Sequence, residues 1–139
     1  MIILKTFDIK TKAYCDVINI TNQVQDALNQ SGIQDGIITV HIAGSTGAIS
    51  TTEYEPGLVH HDIPEFLEQV LPYHANYKHH QTWGDHNGSG HVRSFLLKTS
   101  QTFPFHKKNL ILGAWQQIIF IECDEKPRNR KIYCQIMGE

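Results

Sequence analysis

Between positions 79 and 91 the chain reads HHQTWGDHNGSGH: four histidines, an aspartate, an asparagine and three glycines in thirteen residues. The whole chain has nine histidines, so nearly half of them fall in a stretch too polar and glycine-rich to form core. His79 and His91 bracket Asp85 and Asn87, and three glycines leave the backbone between them free to turn. Two imidazoles and a carboxylate meeting from a loop and a helix start are the donor set of a zinc or similar divalent ion, with one position open to substrate. Asp85 and Asn87 suit the work of orienting those rings and handling protons. The spacing matches no motif of the HExxH kind, and a merely solvated loop is the competing reading. His91 leads into Val92, Phe95 and Leu96 on one helical face, so packing can hold it. His80 and His86 have no such anchor and are expected to be bystanders.

Three further stretches carry candidate groups. In GSTGAIS (44–50), two glycines and the hydroxyls of Ser45 and Thr46 form a corner able to present N–H groups to a phosphate. It lacks the lysine of a Walker loop, and an ordinary tight turn would read the same way. EYEP (53–56) puts Glu53 and Glu55 two residues apart, hence on one face of a strand. Glu53 lies nearer the glycine corner, and one of the pair could ligate metal or act as a general base. Arg93 and the arginines of KPRNR (126–130), Arg128 first among them, are the guanidinium candidates for a phosphorylated substrate.

Those groups must be positioned by a domain of 139 residues, 40% of them apolar, long enough to bury a genuine core. We read it as one domain, 1–139. Twelve basic and fourteen acidic side chains without a basic stripe argue against nucleic acid or an anionic membrane as partner. No apolar run reaches the roughly 18–20 residues of a membrane span. The start has no secretory pattern. Three cysteines without a CxxC fit a reducing cytoplasm. MIILKTFDI and AYCDVINI read as a first pair of strands, and IITVHI and AISTTEY as two more. Thr21 or Asn22 starts a short helix with Val24, Ala27 and Leu28 inward and Gly32 past its end. Asp62 is expected to cap a helix that Pro72 ends. TFPFH with LILG, then WQQIIFIEC, then RKIYCQIMG read as three closing strands. Strands with helices singly between them predict an α+β fold with a largely antiparallel sheet.

The blocks GSTGAISTTEYEPGLVHHD, YKHHQTWGDHNGSGHVRS and LGAWQQIIFIECDEKPRNR, in that order, resemble the YjbQ-like family, whose members are often named secondary thiamine-phosphate synthase enzymes. The resemblance runs from about residue 40 to residue 139. It implies a largely antiparallel β-sandwich with two or three helices, assembled as a homotrimer with pockets near subunit boundaries. It also implies a polar pocket built on His79, Asp85, Asn87, His91 and Glu53. Another branch of the family has a histidine where this chain has Gly44, so a third ligand falls to Glu53, Asp85 or water. The implied activity joins a thiazole phosphate to a pyrimidine diphosphate, giving thiamine phosphate. The expectation is thus a metal-dependent transferase. His79 and His91 would hold the metal, and Glu53, Asp85 and Asn87 would serve catalysis. Ser45, Thr46, Arg93 and Arg128 would contact a small phosphorylated metabolite. The alternative is a non-catalytic protein that binds metal or a phosphorylated metabolite at the same pocket. Trp115 and the closing strands are expected in or near the shared core of the trimer, since WQQIIFIEC is apolar enough to want cover on both faces.

Overall fold

The segment Gln116–Glu122 is a strand buried on both faces, and the other elements are arranged to cover it. In the computed structural model, which describes residues 1–139, Ile118 and Phe120 point into one apolar cluster of 17 buried residues. Ile119 and Ile121 point the other way, into a cluster of six with Val17, Ala48, Val59 and Cys123. Alternate residues serving two cores explain why the run lacks polar alternation. Each such side chain contributes about 1.5–3 kcal/mol on burial.

The chain order is β1 (Ile2–Lys10), β2 (Val17–Asn19), α1 (Thr21–Ser31), β3 (Gly36–Ile42) and β4 (Gly47–Glu53). A π-helical turn (Leu58–Asp62) then leads into α2 (Ile63–Val70), followed by α3 (His79–Trp83) and α4 (Gly88–Leu97). The remaining strands are β5 (Ser100–His106), β6 (Asn109–Leu110), β7 (Gln116–Glu122) and β8 (Asn129–Gly138). One sheet has the order β1-β8-β3-β5-β6 and the other β2-β7-β4, and every pairing is antiparallel. The larger cluster draws on both sheets and on α1, whose Val24, Ala27 and Leu28 face inward as their spacing predicts. Gly32 closes α1 at φ 75°, a left-handed conformation that glycine adopts without strain. Val59, Ile63 and Leu97, from the helical segments, cover the outer face of the smaller sheet. No helix is long and apolar enough to cross a membrane. The fold is the expected α+β arrangement of antiparallel sheets, with four α-helices where two or three were expected.

Local expectations are corrected in three places. The first two strands do not pair with each other: β1 pairs with β8, and β2 joins β7 in the other sheet. The chain crosses between sheets at Tyr14, whose amide donates to the Asp124 carbonyl at 2.9 Å. Asp62 makes no cap. The capping carboxylate is Glu55, which accepts the amides of Gly57 and Leu58 at 2.8 and 2.9 Å. The LILG segment contributes only a two-residue strand.

One end of the sandwich is closed by charge rather than by apolar side chains. Glu122 is fully buried, and both its oxygens accept from Arg130, Nε at 2.8 Å and Nη2 in a second, short contact. The Thr11 hydroxyl donates to the same carboxylate at 2.7 Å. Arg130 Nη2 also donates to the Thr46 hydroxyl at 3.0 Å, and that hydroxyl donates to Asp124 Oδ2 at 3.1 Å. Asp124, itself buried, accepts from Arg128 Nη2 at 2.7 Å. Burial alone would raise the Asp124 carboxyl. The Arg128 guanidinium, the Glu125 amide and the Thr46 hydroxyl outweigh it and hold the group below the usual carboxylate value.

Glu122→Gln leaves the Arg130 guanidinium inside the fold without its counter-charge. We expect a loss of about 3–5 kcal/mol in urea unfolding. Lys131→Ala, at an exposed ion pair with Asp8, should cost at most about 1 kcal/mol. Equal losses would show that burial gives the Glu122 pair no special weight. Because the folded Asp124 carboxyl titrates below its unfolded value, its contribution is present above about pH 4 and disappears as pH falls through the lowered value. Acid unfolding of Asp124→Asn, followed by circular dichroism, should therefore depend less on pH below about 4 than that of the parent.

Candidate functional site

The histidine-rich stretch is partly helical. His79 and His80 open the short α3, Gly84 ends it, and Asp85 to Asn87 turn the chain into α4. Three residues of α4 seat that helix. Gly90 packs against the Cys123 carbonyl at the end of β7, where a Cβ would collide with the oxygen. The Ser94 hydroxyl donates to the Gly47 carbonyl at 2.6 Å. Arg93 donates from Nε and Nη2 to the Leu71 carbonyl at 3.1 and 2.8 Å, and from Nη2 to Glu68 at 3.0 Å. His91 lies between these contacts, so its backbone is fixed by β4 and the end of β7, both of the smaller sheet, and by α2.

The two imidazoles singled out by spacing do meet. The rings of His79 and His91 lie 4.6 Å apart, centre to centre, inclined at 64°. His79 Nε2 is 3.1 Å from Asn87 Oδ1 and 3.4 Å from Asp85 Oδ1. Two oxygens facing Nε2 favour the tautomer protonated there, with the Nδ1 lone pair left for a ligand. Asp85 Oδ1 is buried and makes no hydrogen bond of acceptable geometry. A buried carboxylate oxygen that makes no hydrogen bond, 3.4 Å from one imidazole of the pair, is an environment a cation would satisfy. Two rings on one tetrahedral zinc sit roughly 5 Å apart, given Zn–N bonds of about 2.0–2.1 Å, so the observed spacing fits. No third histidine, cysteine or carboxylate converges with them into a closed ligand set. The cysteines are free, and burial pushes Cys15 up to about 11 and Cys123 and Cys134 up to about 12, so all three stay protonated thiols.

His80 and His86 point elsewhere, to a broad concavity of about 600 Å³ that they share with Tyr73 and His74. His80 is not the idle bystander expected of it. Its Nε2 accepts the Gly88 amide at 2.9 Å and so pins the start of α4.

The other candidates are distributed differently from expectation. Ser45 and His91 line one small cleft with Gly44 and Lys98. Thr46 is buried and committed to Arg130 and Asp124, so its hydroxyl faces no ligand. Arg93 is not an exposed phosphate contact: it is 1% exposed, bonded to Leu71 and Glu68, with its guanidinium 5.6 Å from the centre of the Tyr14 ring. Sequence alone could not separate a solvated arginine from one that snorkels inward to cap α2. Arg128 pairs with Asp124 and borders a different surface depression with Lys10 and Asn129. Glu53 ends β4, six residues beyond Gly47, or about 20 Å at the strand rise. It opens onto a cleft of about 460 Å³ with Trp115 and Asn22, and within one chain it does not reach the histidine pair. Sequence reasoning missed Glu122, Asp124 and Arg130 as a buried network. The signal was present: an acid ending an apolar run in FIECDE, and an arginine opening another in RKIYCQI.

A family model described as UPF0047 protein YjbQ-like matches residues 5–139. A UPF0047 protein of Methanothermobacter thermautotrophicus is 39% identical over 131 residues, covering 94% of this chain and 89% of that protein. The UPF0047 protein YugU of Bacillus subtilis is 32% identical over 97% of this chain and 99% of its own length. Among solved structures, a YbjQ-like protein of unknown function from Sulfolobus solfataricus P2 superposes with a TM-score of 0.94 at 29% identity, over 100% of this chain and 99% of that one. With all but the first residues of β1, the histidine turn and the closing strands inside the matched span, the chain belongs to the YjbQ-like UPF0047 family.

Proposed function

We propose that this protein is a metal-dependent enzyme acting on a small phosphorylated substrate, with a secondary ability to join a thiazole phosphate and a pyrimidine diphosphate into thiamine phosphate, the thiazole nitrogen displacing pyrophosphate from the pyrimidine's methylene carbon. The observation that carries the reading is the His79–His91 pair, 4.6 Å between ring centres, with the partnerless Asp85 oxygen buried beside it. His79 and His91 would hold a divalent ion such as zinc, which when bound would supply a Lewis acid for phosphoryl oxygens. Asn87 and Asp85 fix the His79 ring and its tautomer, so its free nitrogen is aimed before any ligand arrives. Asp85 is also the carboxylate placed to take or return a proton there. The backbone of α4, held by Gly90, Arg93 and Ser94, keeps His91 in register, and positioning of this kind lowers a barrier by up to roughly 7–11 kcal/mol.

A non-catalytic binding role is favoured by one observation, the distance of Glu53 from the histidine pair, which leaves Asp85 as the carboxylate beside His79. We further propose a homotrimer working in a reducing cytoplasm. The surface exposes Trp83, Phe95 and Trp115, each about three-quarters accessible, which is a costly arrangement for a lone chain. Trp115 is thus outside the core of a single chain, and a shared interface is what would cover it.

Protein stripped of metal and reloaded with zinc should lose at least tenfold in zinc affinity on His79→Ala or His91→Ala, while His86→Ala should match the parent. Thiamine phosphate formed from the thiazole phosphate and pyrimidine diphosphate pair should fall with the same two variants. A parent protein that holds no zinc and forms no product would remove the enzymatic reading. Sedimentation at micromolar concentration should give three chains per particle, and a monomer would remove the trimer.

A further inference from the structure

We propose that the cleft between the glycine corner and the end of α4 seats the substrate's phosphoryl group, and that Lys98 is the cation that binds it. This rests on the reading of a phosphorylated substrate above and replaces Arg93 and Arg128 as the phosphate contacts. The cleft has a volume of about 220 Å³, below the roughly 300–1,000 Å³ of a pocket that swallows a whole ligand. It is the size for a phosphoryl group, with the rest of the molecule lying beyond its mouth. Its wall includes His91, so a phosphoryl group held there brings the attached substrate to the His79–His91 pair.

The chemistry of the lining is one-sided. Lys98, His91 and Ser45 contribute an ammonium, an imidazole and a hydroxyl, and no carboxylate lines the cleft. Lys98 forms no ion pair, and its ammonium lies 5.1 Å from the centre of the Phe95 ring, which sets its direction without neutralising it. Gly44 and Ser45 also line the cleft, and their amides donate to no group of the chain. An ammonium, a hydroxyl and free amides around a small space form a receptor for a phosphate monoester.

The backbone of Lys98 makes the same point independently. It stands at φ 77°, ψ 154°, a region that is almost exclusively glycine's. Its main chain is clamped there by two bonds, its amide to the Ser94 carbonyl at 2.9 Å and the Ile49 amide to its own carbonyl at 3.1 Å, and the next residue is held by the Ile42 amide on the Thr99 carbonyl at 3.0 Å. The joint between α4 and the two sheets therefore demands this conformation. A glycine would meet the demand without strain, and the chain places a lysine there instead, which is accounted for by what the ammonium does.

The test uses Lys98→Gly, which removes the ammonium and fits the backbone, with Lys98→Arg and Arg128→Ala for comparison. The probes are inorganic phosphate and phenyl phosphate, titrated calorimetrically into metal-free and zinc-loaded protein. We expect Lys98→Gly to melt no lower than the parent, to retain its zinc, and to bind both probes at least tenfold more weakly. Lys98→Arg should recover most of that affinity, and Arg128→Ala should lose none. Weakening for phenyl phosphate alone, with inorganic phosphate unchanged, would place Lys98 on the rest of the ligand and overturn the assignment. So would unchanged binding in Lys98→Gly, a parent that binds neither probe at millimolar concentration, or a loss confined to Arg128→Ala. These outcomes are separable from the metal reading. A protein that binds no zinc but loses phosphate with Lys98→Gly keeps this inference and sinks the other, and a zinc protein indifferent to Lys98 does the reverse.

Discussion

A carboxylate with no access to water has to be matched inside the protein, and here Arg130 matches Glu122. The pair lies where the two sheets part, Glu122 ending β7 and Arg130 near the start of β8. Neither charge could be left alone at that depth, so the geometry of each fixes the other. The consequences spread through hydrogen bonds rather than through apolar contact. Arg130 holds Thr46, Thr46 holds Asp124, and the Cys123 amide donates to the Thr46 carbonyl at 2.9 Å. The glycine corner therefore owes its position to a guanidinium 84 residues away in sequence.

The end of β7 is also what α4 packs against, through Gly90 on the Cys123 carbonyl. The charge network and the histidine helix thus share one stretch of backbone, residues 122–124. On one side it sets the corner that carries Ser45, and on the other the helix that carries His91. The small cleft is the gap left between them. A site built this way has rigid walls without needing a large apolar core of its own, which suits a polar, charged ligand.

Much of this could be read in the sequence. The β-branched run IITVHI, the helical spacing of Val24, Ala27 and Leu28, and the double-sided WQQIIFIEC all behaved as their periodicity requires, because burial enforces period directly. His79 and His91 were legible as a pair because a glycine-rich turn between two helical starts brings its ends together. What could not be read was pairing at a distance. Nothing local tells MIILKTFDI that its neighbour is the last strand rather than the next one, since antiparallel ladders accept any strand of suitable register. Nothing local tells Arg93 that Leu71 has an open carbonyl, or tells Glu53 that its strand runs away from the histidines. Lys98 sits in LLKTS with no signal beyond its charge, and its meaning comes from a backbone angle that only the assembled sheets impose.

The placement of β8 between β1 and β3 has a kinetic consequence. Ile3 pairs with Ile136 and Val40 with Cys134, so the middle of the larger sheet joins residues from opposite ends of the sequence. Closing such distant pairs costs loop entropy before any contact repays it, and folds of this kind form in milliseconds to seconds rather than microseconds. Arg130 travels on the same strand, so its buried partner gains its counter-ion only when β8 docks. The corner, the cleft and the seat of the histidine helix then come into being together, and a half-folded chain carries no partial version of the site.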